Sequence, residues 1–444
     1  MRRVLASIAF ALGLVAASPA FASHNADEHT PNMTLVANRP YQSSETSTTS
    51  NGTDLAFQGD LLVAGNLSPG GFRLFDISTP SNPTLISQFV CNGSQSDVSI
   101  WGDLVFVSVD GPRSSPACDA PAASLTETTT GSAWEGIRIV DISDPAKPRQ
   151  IDTVRTDCGS HTHTLVPDKN QKTSRVYLYV LSYPLTPVMP NCNVATHRKI
   201  SVVEVPLQKP GAARVVSTPD VSPAIGCHDV TVFPREDMAG AACITESQTW
   251  DISNRARPRV VSHIVNPAIN IHHSTTFSWD GTTLAIGDEL GGAAVAPGCP
   301  TDAGHLPLGA IWFYRVNPET AVASPAPVGF FEIENQELST LCTAHNFNTV
   351  PMTNDRDILT TAWYDGGTAV VEFTNPAAPV QLGRYTPKTA PGPATPWSSY
   401  WFNRYIYANN YTSPRGLDVF RIEDPFVALT QKTWRLNPQT MIGG

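Results

Sequence analysis

Eleven histidines occur in the 444 residues, and four of them open short β-type segments: HTHTLVPD from His161, HDVTVFP from His228, HSTTFSWDG from His273 and HNFNTVP from His345. Aligned on their apolar positions and on the Pro or Gly that follows, three further segments join the series. They are TDLAFQGD from Thr53, SDVSIWGD from Ser96 and WSSYWFNR from Trp397. Histidine thus recurs at one position in four of seven equivalent segments. Neutral imidazole is the commonest protein ligand for zinc, copper, iron and nickel. Converging imidazoles hold one ion and leave positions open to water, dioxygen or substrate, whereas closed structural zinc sites more typically use thiolates. The pattern predicts one transition-metal ion, iron or copper rather than zinc, on His161, His228, His273 and His345.

Neighbouring residues extend this expectation. Asp229 adjoins His228, and Glu246, Asp288 and Glu289 end apolar segments that follow histidine segments. Carboxylates there orient ring N–H groups, and Glu246 and Glu289 are the expected proton-transfer residues. His163 lies two residues beyond His161 and is expected to point the same way, one layer deeper. A one-residue slip in NIHHSTT would put His272 in the place of His273. Thr53, Ser96 and Trp397 complete the set on the substrate side, with Trp363, Tyr364, Tyr400 and Trp401 available as an apolar wall.

These segments must be positioned by a repeated element, and one is visible. FRLFDIS (72–78), IRIVDIS (137–143), ISVVEVP (200–206), SQTWDIS (247–253), IWFYRVN (311–317), TAVVEFT (368–374) and LDVFRIE (417–423) recur along the chain. Most run into a Pro-containing turn and then another strand, and two strands joined by a tight turn precede each. Seven units of four short antiparallel strands make an all-β, seven-bladed β-propeller over residues 32–444. The histidine segments are then the inner strands that line the central channel. The segment 32–42 and the segment 428–436 compete to close the ring.

The IRIVDIS and FRLFDIS segments resemble the LVIVD-repeat proteins, which implies a propeller-like fold and an extracytoplasmic setting. Four histidines from separate blades are similar in architecture to the iron site of the carotenoid cleavage oxygenases. They are similar too to the copper hub of the methanethiol oxidases of the selenium-binding-protein group. That likeness implies a metal in the channel at the four histidines and no particular substrate. The alternative reading is a non-catalytic propeller, with the imidazoles hydrogen-bonded to each other and to Asp. Its loop-rich face would then bind a surface protein or polymer.

The N-terminus sets the compartment. Two arginines, a short apolar run and AFA ending at Ala22 match a cleavable signal peptide over 1–22. The chain is expected to be secreted or periplasmic, to have a polar flexible tail over 23–31 carrying His24 and His29, and to contain no later transmembrane segment. Eight cysteines in an exported protein predict disulfides. Consecutive pairing (Cys91–Cys118, Cys158–Cys192, Cys227–Cys243, Cys299–Cys342) would staple loops over the channel mouth, and is one of many pairings the sequence allows. A rarer alternative makes Cys227 a metal ligand. The net charge of −10, without basic clusters, argues against nucleic acid as a partner. A small-molecule substrate or a surface partner remains. Walker-type loops, GxSxG and HExxH are absent.

Overall fold

The computed structural model describes residues 27–41, 51–169, 174–183, 192, 197–289, 307, 309–333, 342–387, 395–411 and 415–442. The expected signal peptide, His24, Cys299, His305 and most of the 184–196 and 291–308 insertions lie outside the described residues.

Seven antiparallel sheets follow one another along the chain, each built from consecutive strands apart from those the terminal segments add to blades one, six and seven. Blade four is representative: Asp229–Phe233, Met238–Ala242, Ser247–Asp251 and Arg259–Ile264 pair in that order. Its first two strands are buried throughout, because each sheet is covered by a blade on either side.

The Asp-Ile-Ser theme has a local cause. Asp76, Asp141 and Asp251 each accept the backbone N–H of the serine two residues on, at 2.8, 2.8 and 2.7 Å. This Asx-turn ends the third strand. The intervening Ile77, Ile142 and Ile252 are buried between blades. The chain then reverses through its Pro turn into the outer strand. In every blade but the fifth a β-bulge or register shift interrupts this last pairing, which adds the twist each blade needs.

Both termini close the ring. Met33–Arg39 is the outer strand of blade seven, antiparallel to Leu417–Ile422. Arg435–Leu436 instead pairs with Phe57–Gln58, on the inner strand of blade one. The expected competition is resolved by giving each terminus its own place. Glu28 and His29, expected in a flexible tail, form a two-residue strand on blade six, with His29 stacked on Tyr385.

Beyond Leu436 the chain crosses the inner strands at the end of the channel away from the histidines. The Asn437 amide bonds both the N–H and the C=O of Ile100, at 2.7 and 3.0 Å. Thr440 Oγ1 donates to the Leu165 carbonyl at 2.6 Å. Val232 exchanges backbone bonds with Gln439 and Met441, at 2.8 and 2.9 Å. This segment floors the channel.

Asp357, just before the second strand of blade six, carries a pH signature. Burial, and then the Asp280 charge, raise its carboxyl from 3.8 to about 7. Between those values the folded state binds more protons than the unfolded chain, so this group makes stability fall as pH rises from about 4 to about 7. Allowing for its partial exposure, the effect is about 1–2 kcal/mol. Asp357→Asn is therefore expected to melt about 2–4 °C above the parent at pH 8 and level with it at pH 4. Thermal denaturation across that range checks it.

Candidate metal centre

The register of the inner strands places the four histidines together. Equivalent hydroxyls knit neighbouring blades: Thr162 donates to the His228 carbonyl, Ser274 to the His345 carbonyl at 2.7 Å, and Ser398 to the Thr53 carbonyl at 2.8 Å. Each bond ties a residue just past the histidine position to that position on the next blade. The alignment made on apolar residues is thus the alignment in space.

His161, His228, His273 and His345 form an arc at the channel mouth. His161 Nε2 lies 3.0 Å from His228 Nε2. Ring centroids are 3.8 Å apart for His228 and His273, and 4.3 Å for His273 and His345. The ends of the arc are held: His161 Nδ1 donates to Asp110 Oδ2 at 2.7 Å, and His345 Nδ1 donates to the Trp397 carbonyl. Within the arc, His228 Nδ1, both nitrogens of His273 and His345 Nε2 are buried without a hydrogen-bond partner.

Such orphaned polar atoms each cost about 1–3 kcal/mol unless something binds them. Burial, followed by the neighbouring imidazoles, holds His228 and His273 well below the ordinary imidazole range. Burial lowers His345 to about 3. All three are neutral at physiological pH, the form that ligates metals.

Glu289 closes the arc. Its carboxylate oxygens lie 3.5 Å from His273 Nε2 and 3.6 Å from His345 Nε2, and it accepts the Tyr364 hydroxyl at 2.6 Å. Burial raises its carboxyl to about 7. Ligand atoms of His228, His273 and Glu289 all fall within 4.8 Å of one another. A residue expected to act from behind the histidines therefore stands among the donors. Trp397 packs edge-on to His345 at 4.6 Å and stacks on Tyr411, while Tyr183 lies edge-on to His161 at 5.0 Å.

Other expected site residues lie elsewhere. His163 does not continue the arc. It is wedged between blades two and three, bonded to Ser99 Oγ and Ser108 Oγ at 2.7 and 2.8 Å. His272 turns to Ser247 Oγ at 2.8 Å, so no slip brings it into the arc. Glu246 faces Gln248 and His263, at 2.6 and 2.9 Å, not the histidines. Thr53 Oγ1 donates to the Ser96 carbonyl, and Ser96 Oγ accepts the Gly71 N–H, so both hydroxyls are engaged by backbone. Asp229 meets Gln439 of the floor.

Asp110 and Tyr183 were missed. Asp110 lies late in the second strand Leu104–Arg113, near where Asp288 ends that of blade five, but it sits in a blade whose own inner strand lacks histidine.

Cysteines brace the mouth. Cys91–Cys118, Cys158–Cys192 and Cys227–Cys243 are bridged as the consecutive pairing expects. Cys342 is also disulfide-bonded. Cys227 is thus a bridge partner and not a thiolate ligand. The sulfurs beside the buried His197 are likewise tied up in the Cys158–Cys192 bridge.

Gly226 sets up the approach to His228. Its φ is +105°, and a Cβ there would stand 2.2 Å from the Ser182 carbonyl oxygen. Gly226→Ala is expected to destabilise the fold by about 1–3 kcal/mol and to weaken metal retention by shifting His228. Urea denaturation and metal content measured together check this.

Comparison with known proteins agrees with this architecture. The LVIVD repeat profile matches residues 68–90 and 131–156, the third and fourth strands of blades one and two. The chain carries LVIVD repeats. No curated protein sequence matches it. Among solved structures this LVIVD-repeat propeller resembles the hydrazine synthase of Kuenenia stuttgartiensis at 11% identity and TM-score 0.56, over 86% of this chain and 97% of that one. It resembles the periplasmic gluconolactonase of Pseudomonas aeruginosa at 14% identity and TM-score 0.53, over 86% and 95%. Both likenesses speak for the fold.

Proposed function

We propose that this LVIVD-repeat propeller is an exported metalloprotein that binds one transition-metal ion on His161, His228, His273 and His345 and acts as an oxidoreductase on a small molecule. The observation that carries the reading is the set of buried, neutral ring nitrogens without partners on His228, His273 and His345, converging from three blades, with His161 Nε2 of a fourth 3.0 Å from His228 Nε2. A donor set of imidazoles with one carboxylate and no thiolate fits iron or copper at least as well as zinc. When bound, the ion would supply redox chemistry. Asp110 fixes the ring of His161 and leaves its Nε2 toward the arc. Glu289 holds a proton between itself and Tyr364, beside the open side of the arc, where it can be given to or taken from a substrate atom. Trp397, Tyr183 and Tyr364 exclude water from that side and offer flat apolar surface to a substrate.

The test is elemental analysis of the mature chain, exported to the periplasm and purified without chelator, followed by dioxygen-consumption assays across small-molecule libraries. Near-stoichiometric iron or copper supports the proposal. Zinc alone supports the site and removes the redox assignment. No metal after reconstitution with each ion overturns it in favour of a non-catalytic, partner-binding propeller.

A further inference from the structure

Arg73 and Arg138 hold the same position of the repeat, in FRLFDIS and IRIVDIS, and each is 1% exposed. Arg73 turns to blade seven, where its guanidinium lies 3.9 Å over the Tyr41 ring and Nη2 donates to Asn409 Oδ1 at 3.3 Å. Arg138 shares strand parity with Val140, which packs between blades one and two. There its Nε and Nη2 are both buried without a hydrogen-bond partner, and Trp134 offers a ring face at 5.1 Å.

Nε and Nη2 form one edge of a guanidinium, the fork that presents two parallel N–H groups to a carboxylate or phosphate. The protein uses this edge elsewhere. Arg356 Nε and Nη2 donate to the two carboxylate oxygens of Glu372, at 2.9 and 2.8 Å. Among the described residues no carboxylate oxygen bonds the fork of Arg138. A second cation stands near it: burial, and then the like charge of Arg113, lower Arg138 to about 10. Arg113 is half-buried, and so connects the seam to solvent. The two guanidinium groups flank the Gly93–Ser94 step. A Cβ on Gly93 would stand 3.2 Å from Arg138 Nη1, and one on Gly111 would stand 3.2 Å from Arg113 Nη2 and 3.1 Å from Ser94 Cβ. Two glycines thus keep side chains away from both cations. A buried cation beside a like charge is costly unless an anion binds it.

We propose that Arg138 and Arg113 bind one small oxyanion, a carboxylate or a phosphate, in the seam between blades one and two, with Arg138 making the bidentate contact.

The experiment uses the full mature chain, titrated by calorimetry with acetate and, separately, with inorganic phosphate. One anion per chain is expected, with a dissociation constant of about 10⁻³ M or tighter. Uptake of either supports the site, and the tighter of the two tells a carboxylate-bearing ligand from free phosphate. Arg138→Lys keeps the charge and loses the fork, so it should weaken binding at least about tenfold. Arg113→Gln should weaken it less, and Arg149→Gln, at an exposed arginine of the same blade, should bind as the parent does. No uptake of either anion up to about 10⁻² M, or a lysine variant that binds as the parent does, overturns the proposal. Should the variants fail to fold, parent crystals soaked in selenate decide it by anomalous scattering. Selenium within hydrogen-bonding reach of Arg138 Nε and Nη2 supports the assignment, and selenate confined to exposed arginines overturns it. The arginines lie outside the histidine arc, so failure here leaves the metal proposal standing.

Discussion

His273→Ala is expected to leave the propeller folded and to strip it of metal. His273 sits in mid-arc, with His228 and His345 rings on either side and Glu289 against its Nε2. Its two ring nitrogens make no hydrogen bond, so truncation breaks none and the stability cost is confined to the cavity it leaves. Metal per chain should fall to below about a tenth of the parent's, because losing a direct ligand costs more than the 10–100-fold typical of residues behind one. Any turnover should fall with it. His272→Ala is the matched control: one residue away, bonded to Ser247 and outside the arc, it should keep its metal. Equal retention in both variants would remove the histidine arc as the metal site. Equal loss with intact circular dichroism would point to a site that includes His272.

Ending the chain at Leu436 is expected to be the most destabilising change away from the arc. The lost segment satisfies the Ile100 N–H and C=O, the Leu165 C=O and the Val232 N–H and C=O, all on inner strands. It also removes Met441, which packs with Phe233, Phe277 and Ile286. Each buried backbone group left without a partner costs about 1–3 kcal/mol, less where water enters the opened channel. A loss of about 3–6 kcal/mol overall and a melting temperature lower by at least about 5 °C follow. Asn437→Ala alone should show part of this, since one amide serves both groups of Ile100. A truncated chain that melts with the full-length protein would mean that the floor is dispensable.

Much of this was legible in the chain. A blade is made of consecutive strands, so its order and its Asx-turn signature are written locally, in Asp-Ile-Ser followed by Pro. The equivalence of His161, His228, His273 and His345 followed, because each inner strand enters the channel at the same register. Consecutive pairing of the cysteines was one of many pairings the sequence allowed, and the structure selects it for three bridges, each joining the entry of an inner strand to the end or insertion of the next strand.

What the tertiary structure alone decided concerns contacts across the ring. Glu246 and Glu289 both follow second strands, yet only Glu289 reaches the arc, because Tyr364 from the next blade fixes its carboxylate while Gln248 and His263 hold Glu246. His163 shares strand parity with His161, but His161 precedes the regular strand, and Ser99 and Ser108 of blade two draw His163 into the seam. The C-terminal segment carries no strand repeat, and nothing in its composition marks it as the floor of a channel. Periodicity along the chain records which strands pair and which positions are equivalent. Which side chain wins a shared volume at the axis depends on residues from other blades, often more than fifty positions away, and that is settled only by closing the ring.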